Sequence, residues 1–371
     1  MMQPLNIAII GSRGIPNYYG GFEQMAQYLA VGLLNKGHQV SVYNSHNHPY
    51  QGKEWKGVKL IHCFDAENMI GTAGQFVYDF NCIMNARKNK FDVLLFLGYT
   101  SSSVWGKIFP KNSVIISNMD GMEWKRAKYS KPVQKFLRYA EKLAIKYSQY
   151  FIADSTIIQN YVDTKYHVTS KYIPYGAEIF ANKNEEVLAK YAVSKFDYHM
   201  LMARMEPENN IDMILNGFHS SNSEKTFIVV GNYNNSFGKL MYNKYSHDKR
   251  IHFAGAIYDA EITNTLRAFC KLYFHGHSVG GTNPSLLEAM ANGSIIVAHN
   301  NEFNRAVLKD DAYYFNTAED VMKLVVKSNG HKESEKMVEN NFVKIEEQYN
   351  WPKIVKMYEE FIIDCYNRSK K

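Results

Sequence analysis

The sequence predicts an α/β protein built from two doubly wound parallel sheets. With 371 residues it exceeds the ~100–200 residues of a usual single domain. Short apolar runs alternate with amphipathic, helix-like segments in two successive series, which is the pattern of βαβ units. Hydrophobic residues make up 46% and charged residues 21%, a composition that excludes a largely disordered chain.

The first series defines an N-terminal domain, predicted at residues 1–174. It begins with a strand at Ile7–Ile10 and a glycine-rich loop from Gly11 to Gly21, followed by apolar residues at helical spacing up to Gly37. The later strands of this series are predicted at Gln39–Tyr43, Val93–Leu97, Val114–Ser117, Phe151–Ala153 and Tyr172–Ile173.

The second series defines a C-terminal domain, predicted at residues 197–349. Its strands are predicted at His199–Ala203, Thr226–Gly231, Ile251–Gly255, Leu272–His275 and Ile295–Ala298, and its helices at Ile211–His219, Ala260–Phe269 and Pro284–Ala291. The polar stretch 175–196 is predicted as a linker, and 350–371 as a terminal helix. Because ligands bind beyond the carboxyl ends of parallel strands, two facing sheets predict a site in the cleft between the domains.

Charge and cysteine content narrow the classes of function. The 43 Lys and Arg exceed the 36 Asp and Glu by 7, an excess that suits anionic ligands such as phosphates. Four cysteines without a C-x-x-C pair disfavour a disulfide framework and a zinc site. No apolar run reaches the ~18 residues of a membrane span, and the N-terminus lacks a signal-peptide pattern, so a cytoplasmic protein is expected.

The first loop is glycine-rich without being a dinucleotide-binding fingerprint. Residues 11–14 read Gly-Ser-Arg-Gly rather than G-x-G-x-x-G, and Asn44 stands where an NAD enzyme carries its ribose-binding acid. Gly20 and Gly21 would let a backbone approach an anion at a helix N-terminus, although a tight turn explains them equally well.

A stronger signal follows the strand at Leu272–His275. Gly280, Gly281, Thr282 and Asn283 precede Pro284, with Thr282 or Asn283 as the cap of a new helix. Amides at that helix start form an anion site, and Glu288, one turn inside, is placed to accept hydrogen bonds from sugar hydroxyls. The alternative is an ordinary capped helix with a surface glutamate.

Arg204 follows the first strand of the second series. A guanidinium at the carboxyl end of a strand, facing a helix N-terminus, suits a diphosphate. The alternative is a surface salt bridge to Glu206 or Glu208.

With these residues in place, the sequence resembles GT-B glycosyltransferases of glycosyltransferase family 4. The matching segments occur in family order along nearly the whole chain, and they are Gly20-Gly-Phe-Glu, Asp120-Gly-Met-Glu-Trp-Lys-Arg, Ala153-Asp-Ser, Ile173-Pro-Tyr-Gly-Ala-Glu, Ala203-Arg-Met-Glu-Pro-Glu and Leu287-Glu-Ala-Met. The segments 11–16 and 277–285 resemble a bacterial subgroup that includes rhamnosyltransferases of surface-polysaccharide assembly. The fold that this implies is GT-B, two Rossmann-like domains facing a cleft, with the terminal helix returning to the first domain.

The resemblance assigns residues to the donor site. Arg204 matches the family's phosphate-binding arginine, and Glu288 the glutamate that holds the ribose. The companion lysine falls at Asn209 and the first glutamate of the E-x7-E pair at Gly280, so two family contacts are missing. The implied diphosphate-binding residues are Arg13, which could compensate for the missing lysine, together with Gly20, Gly21, Arg204, Gly281, Thr282 and Asn283. His275, His277 and Gly280 are expected near the donor sugar.

The resemblance also assigns a reacting residue and an acceptor side. Asp120 falls where many relatives carry a histidine beside the reacting carbon, and Glu123, Trp124 and Arg126 follow it on the acceptor side. The implied enzyme is a retaining, metal-independent hexosyltransferase without a cofactor, whose catalysis rests on stabilising charge on the leaving diphosphate. The favoured donor is dTDP-rhamnose, with UDP-glucose or UDP-N-acetylglucosamine as alternatives. A nucleotide-sugar epimerase, a hydrolase and an inactive binding subunit are the other classes that the sequence leaves open.

A basic segment predicts one partner besides the donor and a saccharide acceptor, namely an anionic membrane surface. Eight basic residues lie between Trp124 and Tyr147 against the single acid Glu141. They are Lys125, Arg126, Lys128, Lys131, Lys135, Arg138, Lys142 and Lys146. A basic helix whose apolar face packs into the core would dock electrostatically to an anionic membrane surface, which suits a lipid-linked acceptor.

Two further kinds of partner are disfavoured. No nucleic-acid-binding motif accompanies the basic segment. The pairs His46/His48 and His275/His277 lack a carboxylate or cysteine partner, so no metal site is predicted.

Overall fold

The structure, a computed structural model, describes residues 3–327 and 331–371. The chain forms two compact units. The N-terminal unit contains the chain up to Lys125, then Tyr129–Tyr175 and Trp351–Lys371. The C-terminal unit contains Arg126–Lys128 and Gly176–Asn350. Each unit is an α/β fold with its own sheet and core.

The N-terminal unit is built on an eight-stranded sheet in the order β3-β4-β2-β1-β5-β6-β7-β8. Its strands are β1 (Asn6–Ile10), β2 (Gln39–Ser45), β3 (Glu54–Trp55), β4 (Val58–Cys63), β5 (Val93–Leu97), β6 (Val114–Asn118), β7 (Tyr150–Ala153) and β8 (Ser170–Tyr172). All neighbours pair in parallel except β3 with β4. The all-apolar β5 is buried along its whole length, as expected of a strand covered on both faces.

The helices of this unit cover both faces of the sheet. They are α1 (Gly21–Asn35), α2 (Glu67–Ile70), α3 (Gly74–Ala86), α4 (Lys131–Tyr147), α5 (Thr156–Tyr166) and the terminal α14 (Trp351–Lys370), with short 3-10 turns at Gly71–Ala73, Ser103–Ile108 and Glu123–Lys125. Ser155 caps α5 by accepting a hydrogen bond from the Ile157 amide.

The terminal helix α14 completes the N-terminal unit. Trp351 stacks on Tyr28 of α1 with ring centroids 4.4 Å apart and planes within 4° of parallel. A Cβ on Gly32 of α1 would lie 2.6 Å from Val355, so the glycine permits the close approach of the two helices. Ile354, Tyr358 and Ile362 are fully buried.

The C-terminal unit is built on a six-stranded parallel sheet in the order β11-β10-β9-β12-β13-β14. Its strands are β9 (Tyr198–Met202), β10 (Thr226–Val230), β11 (Ile251–Gly255), β12 (Leu272–His275), β13 (Ile296–His299) and β14 (Tyr313–Phe315). Its helices are α6 (Glu186–Ala189), α7 (Ile211–His219), α8 (Ser236–Tyr245), α9 (Ala260–Phe269), α10 (Pro284–Ala291), α11 (Glu302–Leu308), α12 (Ala318–Lys327) and α13 (His331–Gln348), with a 3-10 turn at Pro207–Asn209.

The stretch 175–196, predicted as a linker, is largely part of the C-terminal unit. Its polar composition hides the short helix α6, whose Val187 and Leu188 are buried. The Ala177 amide donates to the Tyr349 carbonyl at 2.6 Å, and Ala177 pairs with Asn350. The chain therefore enters and leaves the C-terminal unit at neighbouring points.

Each sheet reverses its winding once. In the N-terminal unit the reversal lies between β1 and β5, and in the C-terminal unit between β9 and β12. The loops that follow these strands diverge at the carboxyl edge and leave a crevice where doubly wound sheets bind ligands.

Candidate active site

In the C-terminal unit, the loop between β12 and α10 is organised around Asn283. Its side chain accepts a hydrogen bond from the Ser285 amide at 2.9 Å, which makes Asn283 rather than Thr282 the cap of α10. The Leu286 and Leu287 amides donate to the Asn283 carbonyl at 3.1 and 3.2 Å. Because Pro284 has no amide hydrogen, an anion here would be held by the amides of residues 281–283, in the positive field of the helix.

Two glycines shape the same loop. Gly280 has a φ of +135°, a conformation that other residues rarely adopt, and a Cβ placed there would meet nothing within 4 Å. Gly276 is in the opposite situation, since a Cβ would lie 2.0 Å from the Asn209 carbonyl oxygen. The β12 loop therefore packs closely against the β9 loop at Gly276, whereas no atom of the described residues lies near the Cβ position of Gly280.

The β9 loop places Arg204 at the carboxyl edge with an exposed side chain. The buried Asn209 uses its side-chain amide to donate to the Arg204 carbonyl at 2.7 Å. Asn209, at the position of the companion lysine that the resemblance implies, therefore holds the backbone of Arg204 and supplies no charge.

His275 and His277 lie stacked at the end of β12, with ring centroids 4.4 Å apart. Burial, followed by the guanidinium charges of Arg204 and Arg126, lowers the pKa of His277 to about 3. Burial, followed by the charges of His277 and Arg267, lowers the pKa of His275 well below its usual value. Both rings are therefore neutral at physiological pH.

Glu288 is oriented by a partner that the sequence did not single out. Arg267 of α9, whose side chain is 3% exposed, forms an ion pair with the Glu288 carboxylate at 2.6 Å. Its guanidinium also contacts Met202 Sδ and Ser285 Oγ. Although burial opposes the charge, Glu288 and Tyr273 keep the pKa of Arg267 raised. A charged residue between buried Leu266 and Ala268 on a helix was the signal that sequence reasoning could have used.

In the N-terminal unit, the glycine-rich loop after β1 is held from β2 by Asn44. This fully buried side chain accepts from the Ile15 amide at 3.1 Å and donates to the Ile15 carbonyl at 2.8 Å. The loop ends at Gly20, which precedes α1, and α1 begins at Gly21. Asn44 therefore shapes the loop by hydrogen bonding at the position where NAD enzymes bind a ribose.

Arg13, predicted to compensate for the missing lysine, is engaged within its own unit. Its guanidinium makes two hydrogen bonds to the Glu67 carboxylate, at 2.8 and 2.7 Å, and lies 3.8 Å from the centre of the Tyr19 ring. Its amide donates to the buried Glu23 at 2.8 Å. The charge of Arg13 is thus matched by Glu67.

Asp120 lies two residues beyond the end of β6 and is partly exposed. Three buried phenols, Tyr99, Tyr175 and Tyr358, surround this edge of the sheet. Burial, followed by nearby carboxylates that include Asp120, raises the pKa of each of them. The three phenols beside Asp120 are therefore neutral at physiological pH.

The two neighbours of Asp120 on the predicted acceptor side, Glu123 and Trp124, belong to a 3-10 turn in the N-terminal unit. Trp124 is fixed by Glu141 of α4, which accepts a hydrogen bond from the indole at 3.2 Å. The Arg138 guanidinium covers the indole ring at 4.3 Å. Arg126 was predicted with them, but it packs in the C-terminal unit, where the buried Glu208 carboxylate attracts its guanidinium to 3.7 Å.

Glu141, the single acid of the basic segment, is buried and collects hydrogen bonds from several side chains. Lys165 donates a hydrogen bond to Glu141 Oε1 at 2.7 Å, and the Tyr161 hydroxyl donates to the same oxygen at 2.8 Å. The Tyr166 hydroxyl also donates to this oxygen. Sequence reasoning missed this role, because these three partners lie on α5, 20 to 25 residues from Glu141 along the chain.

Within residues 3–327 and 331–371, no cluster of three or more His, Cys, Asp or Glu side chains is arranged to hold a metal ion. No helix in the same ranges is long and apolar enough to cross a membrane. A cavity of about 530 Å³ lies at the amino-terminal edge of the C-terminal sheet, beside Asp197, Lys225 and Lys271, and holds none of the predicted site residues.

Two family models match the chain. Residues 184–343 match Glycosyl transferases group 1, and residues 4–178 match DUF1972, a domain of unknown function. No curated protein matched the sequence.

Solved structures are similar in fold over nearly the whole chain. A sucrose-phosphate synthase from Thermosynechococcus elongatus is 14% identical, with a TM-score of 0.79 and coverage of 99% of this chain and 100% of that one. HepE from Anabaena, in complex with UDP and glucose, is 13% identical, with a TM-score of 0.76 and coverage of 96% and 99%. The catalytic domain of starch synthase IV from Arabidopsis thaliana, bound to ADP and acarbose, is 12% identical, with a TM-score of 0.70 and coverage of 98% and 100%.

Proposed function

We propose that this chain, a glycosyltransferase of the GT-B fold, moves a sugar from a nucleoside diphosphate donor to a saccharide with retention of configuration. The observation that supports the proposal is that β9, which precedes Arg204, and β12, which precedes residues 281–283 and Glu288, are the neighbouring strands at which the C-terminal sheet reverses. A guanidinium and helix-end amides suit a diphosphate, and a carboxylate held by Arg267 suits the ribose hydroxyls.

The proposed chemistry rests on charge. As the bond between the sugar and the diphosphate breaks, negative charge grows on the leaving phosphate, and Arg204 and the dipole of α10 stabilise it. The neutral His275 and His277 contribute hydrogen bonding without charge. Asp120, if ionised, would stabilise the positive character of the sugar carbon or orient the acceptor hydroxyl. Neither role requires a metal ion.

The favoured donor is dTDP-rhamnose, and the expected product belongs to a surface polysaccharide such as a capsule. Support comes from the resemblance of residues 11–16 and 277–285 to rhamnosyltransferases of that kind. UDP-glucose is the second candidate, since HepE, of similar fold, was solved in complex with it.

Donor choice is tested by thermal unfolding with UDP, dTDP, GDP and their sugar conjugates. A ligand at ~100 times its dissociation constant adds about 2.7 kcal/mol, enough to move a midpoint by several degrees. We expect a selective shift with dTDP-rhamnose. A shift confined to UDP conjugates would replace rhamnose by the second candidate, and no shift with any nucleotide would support an inactive scaffold.

Transfer itself is tested by donor consumption with and without saccharide acceptors. We expect consumption to require the acceptor, whereas an epimerase or hydrolase would consume the donor alone. Asp120→Asn is expected to lower kcat by ~100-fold. Near-full turnover by the folded variant would remove the charge role of Asp120.

A lipid-linked acceptor, approached at the membrane surface, is proposed from the surface of α4. Lys131, Lys135, Arg138, Lys142 and Lys146 are all exposed there. The apolar residues of the first half of the helix were expected in the core, yet Val133 and Tyr139 are 39% and 56% exposed, and Phe136 is 36% exposed against Phe76. Cations surrounding exposed apolar side chains suit an anionic bilayer interface.

Vesicle co-sedimentation tests this surface. We expect binding to vesicles that contain anionic lipid but not to vesicles of neutral lipid alone, and loss of binding in Lys135→Glu/Lys142→Glu. The matched control is Lys53→Glu/Lys59→Glu, which makes the same charge change at exposed positions of the same unit. Equal binding by both double variants, or binding independent of anionic lipid, would contradict the proposal.

A further inference from the structure

Glu208 is a buried carboxylate in the loop after β9. The residue is 5% exposed, and its side chain 2%. Among the residues that the structure describes, neither carboxylate oxygen has a hydrogen-bond partner. Its charge is balanced at a distance by Arg126, 3.7 Å away, beyond hydrogen-bonding reach. Because a buried acceptor without donors is costly, Glu208 is a candidate to accept hydrogen bonds from a ligand.

The backbone that carries Glu208 is held firmly against the β12 loop. The Glu208 carbonyl accepts hydrogen bonds from both the amide and the hydroxyl of Ser278, at 3.1 and 2.8 Å. The Asn210 side chain donates to the Gly276 carbonyl at 2.8 Å. A side chain fixed in this way can recognise a ligand with little loss of conformational freedom.

The same loop has an open position two residues beyond Ser278. A Cβ on Gly280 would meet no atom within 4 Å, so the position is open around the backbone. The E-x7-E pattern places its first glutamate here, and this chain has none. The Glu208 carboxylate, which accepts no hydrogen bond from the described residues, and the open position therefore belong to two loops that are hydrogen-bonded to each other.

We propose that Glu208 accepts hydrogen bonds from hydroxyl groups of the donor sugar and so selects the sugar that is transferred. The inference rests on the proposed function, because it requires a nucleotide sugar at this edge of the sheet. A carboxylate accepts from two neighbouring hydroxyls at once, and burial makes the loss of either hydrogen bond costly. Glu208 would thus perform from the β9 loop the recognition that the acid at position 280 would otherwise supply.

The test compares a nucleotide with its sugar conjugate. Titration calorimetry of the whole chain with dTDP and dTDP-rhamnose, and with UDP and UDP-glucose, measures the sugar's contribution directly. In Glu208→Gln we expect the affinity for the free nucleotide to stay within about twofold and that for the accepted conjugate to fall by about tenfold or more. The matched control is Glu206→Gln, whose carboxylate pairs with Lys128 at 3.4 Å and whose conjugate affinity we expect to be unchanged.

Four outcomes would overturn the inference. Glu208→Gln could weaken the nucleotide and its conjugate equally, or weaken neither. Arg126→Met could weaken only the conjugate by the same factor, which would reduce Glu208 to a partner of that arginine. A wild-type chain that binds no nucleotide would overturn the proposed function as well, whereas nucleotide binding with an indifferent Glu208 would overturn only this inference. Circular dichroism establishes that each variant is folded.

Discussion

Several buried ionisable side chains among the described residues are either paired or neutral. Arg267 is matched by Glu288 at 2.6 Å, and Glu141 by Lys165 at 2.7 Å. His199, by contrast, is completely buried and its pKa falls to about 3, mainly through burial. Pairing and neutralisation are the two ways to avoid an isolated buried charge. Removing an ion-pair partner is expected to lower stability, whereas removing a neutral buried histidine is expected to change how stability depends on pH.

Arg267→Met is expected to lower the free energy of unfolding by about 2–3 kcal/mol, because it leaves the carboxylate of Glu288 without its cation. The variant is also expected to weaken nucleotide binding, since Glu288 loses the group that orients it. Urea denaturation and calorimetric titration measure the two effects. Arg368→Met, which removes an exposed pair with Asp364, is the control, with an expected change below about 0.5 kcal/mol.

His199→Leu is expected to flatten the pH dependence of stability. The folded His199 has a pKa of about 3 against 6.5 unfolded, so the unfolded state binds more protons between these values. The wild type therefore loses stability as the pH falls below ~6.5, by up to about 1.4 kcal/mol per pH unit from this group. Urea midpoints at pH 5 and pH 8 measure the difference. An unchanged pH slope in the variant would contradict the buried, neutral state of the ring.

At the residue scale, the sequence indicated groups whose role depends on neighbours in the chain. Asn283 caps α10 because the cap, the proline and the helix are consecutive. Three side-chain pairs were missed, because each joins residues that are distant in sequence. They are the ion pairs Arg13–Glu67 and Arg267–Glu288 and the hydrogen bond from Trp124 to Glu141. Spacing along the chain carries no information about such partners.

Among the elements, the strands were the easiest to predict and their neighbours in the sheet the hardest. Fully buried runs such as β5 stand out as continuous apolar stretches, and α7, α9 and α10 have the predicted bounds. The strand β4 was missed because its alternating residues face both core and solvent, and β14 because it has only three residues. Short or half-exposed elements are specified by tertiary pairing more than by composition.

The loop after β1 offers a test of how tightly one element shapes another. Gly14 has a φ of +120°, and a Cβ there would lie 2.3 Å from Asn44 Cγ. Gly14→Ala is therefore expected to combine backbone strain with a clash and to cost about 3 kcal/mol or more. Gly37→Ala, at φ +92° with nothing within 4 Å of the Cβ, carries the strain alone and is expected to cost about 1–2 kcal/mol. If urea denaturation showed that Gly14→Ala and Gly37→Ala lower the free energy of unfolding equally, Asn44 would not constrain the loop.

For the whole molecule, the main part of the C-terminal unit, residues 176–350, is an uninterrupted stretch of chain whose two ends meet. Ala177 and Asn350 pair beside each other, and the core around β9, β10 and β12 contains residues of this unit alone. Residues 176–350 expressed separately are expected to unfold cooperatively in thermal denaturation and to retain nucleotide binding. A fragment with no cooperative transition would mean that the unit depends on the rest of the chain.

The place of α14 also has a consequence for how the protein is made. Translation completes the C-terminal unit before the ribosome has added the helix that covers Tyr28 and Gly32 of α1. The part of the protein synthesised first is therefore the last to be finished, and its apolar surface stays uncovered while some 175 further residues are added. The nascent N-terminal half therefore needs chaperones most while the C-terminal unit is being synthesised. A premature stop within α14 would damage the N-terminal unit, which is the half of the enzyme that lies farthest from α14 in sequence.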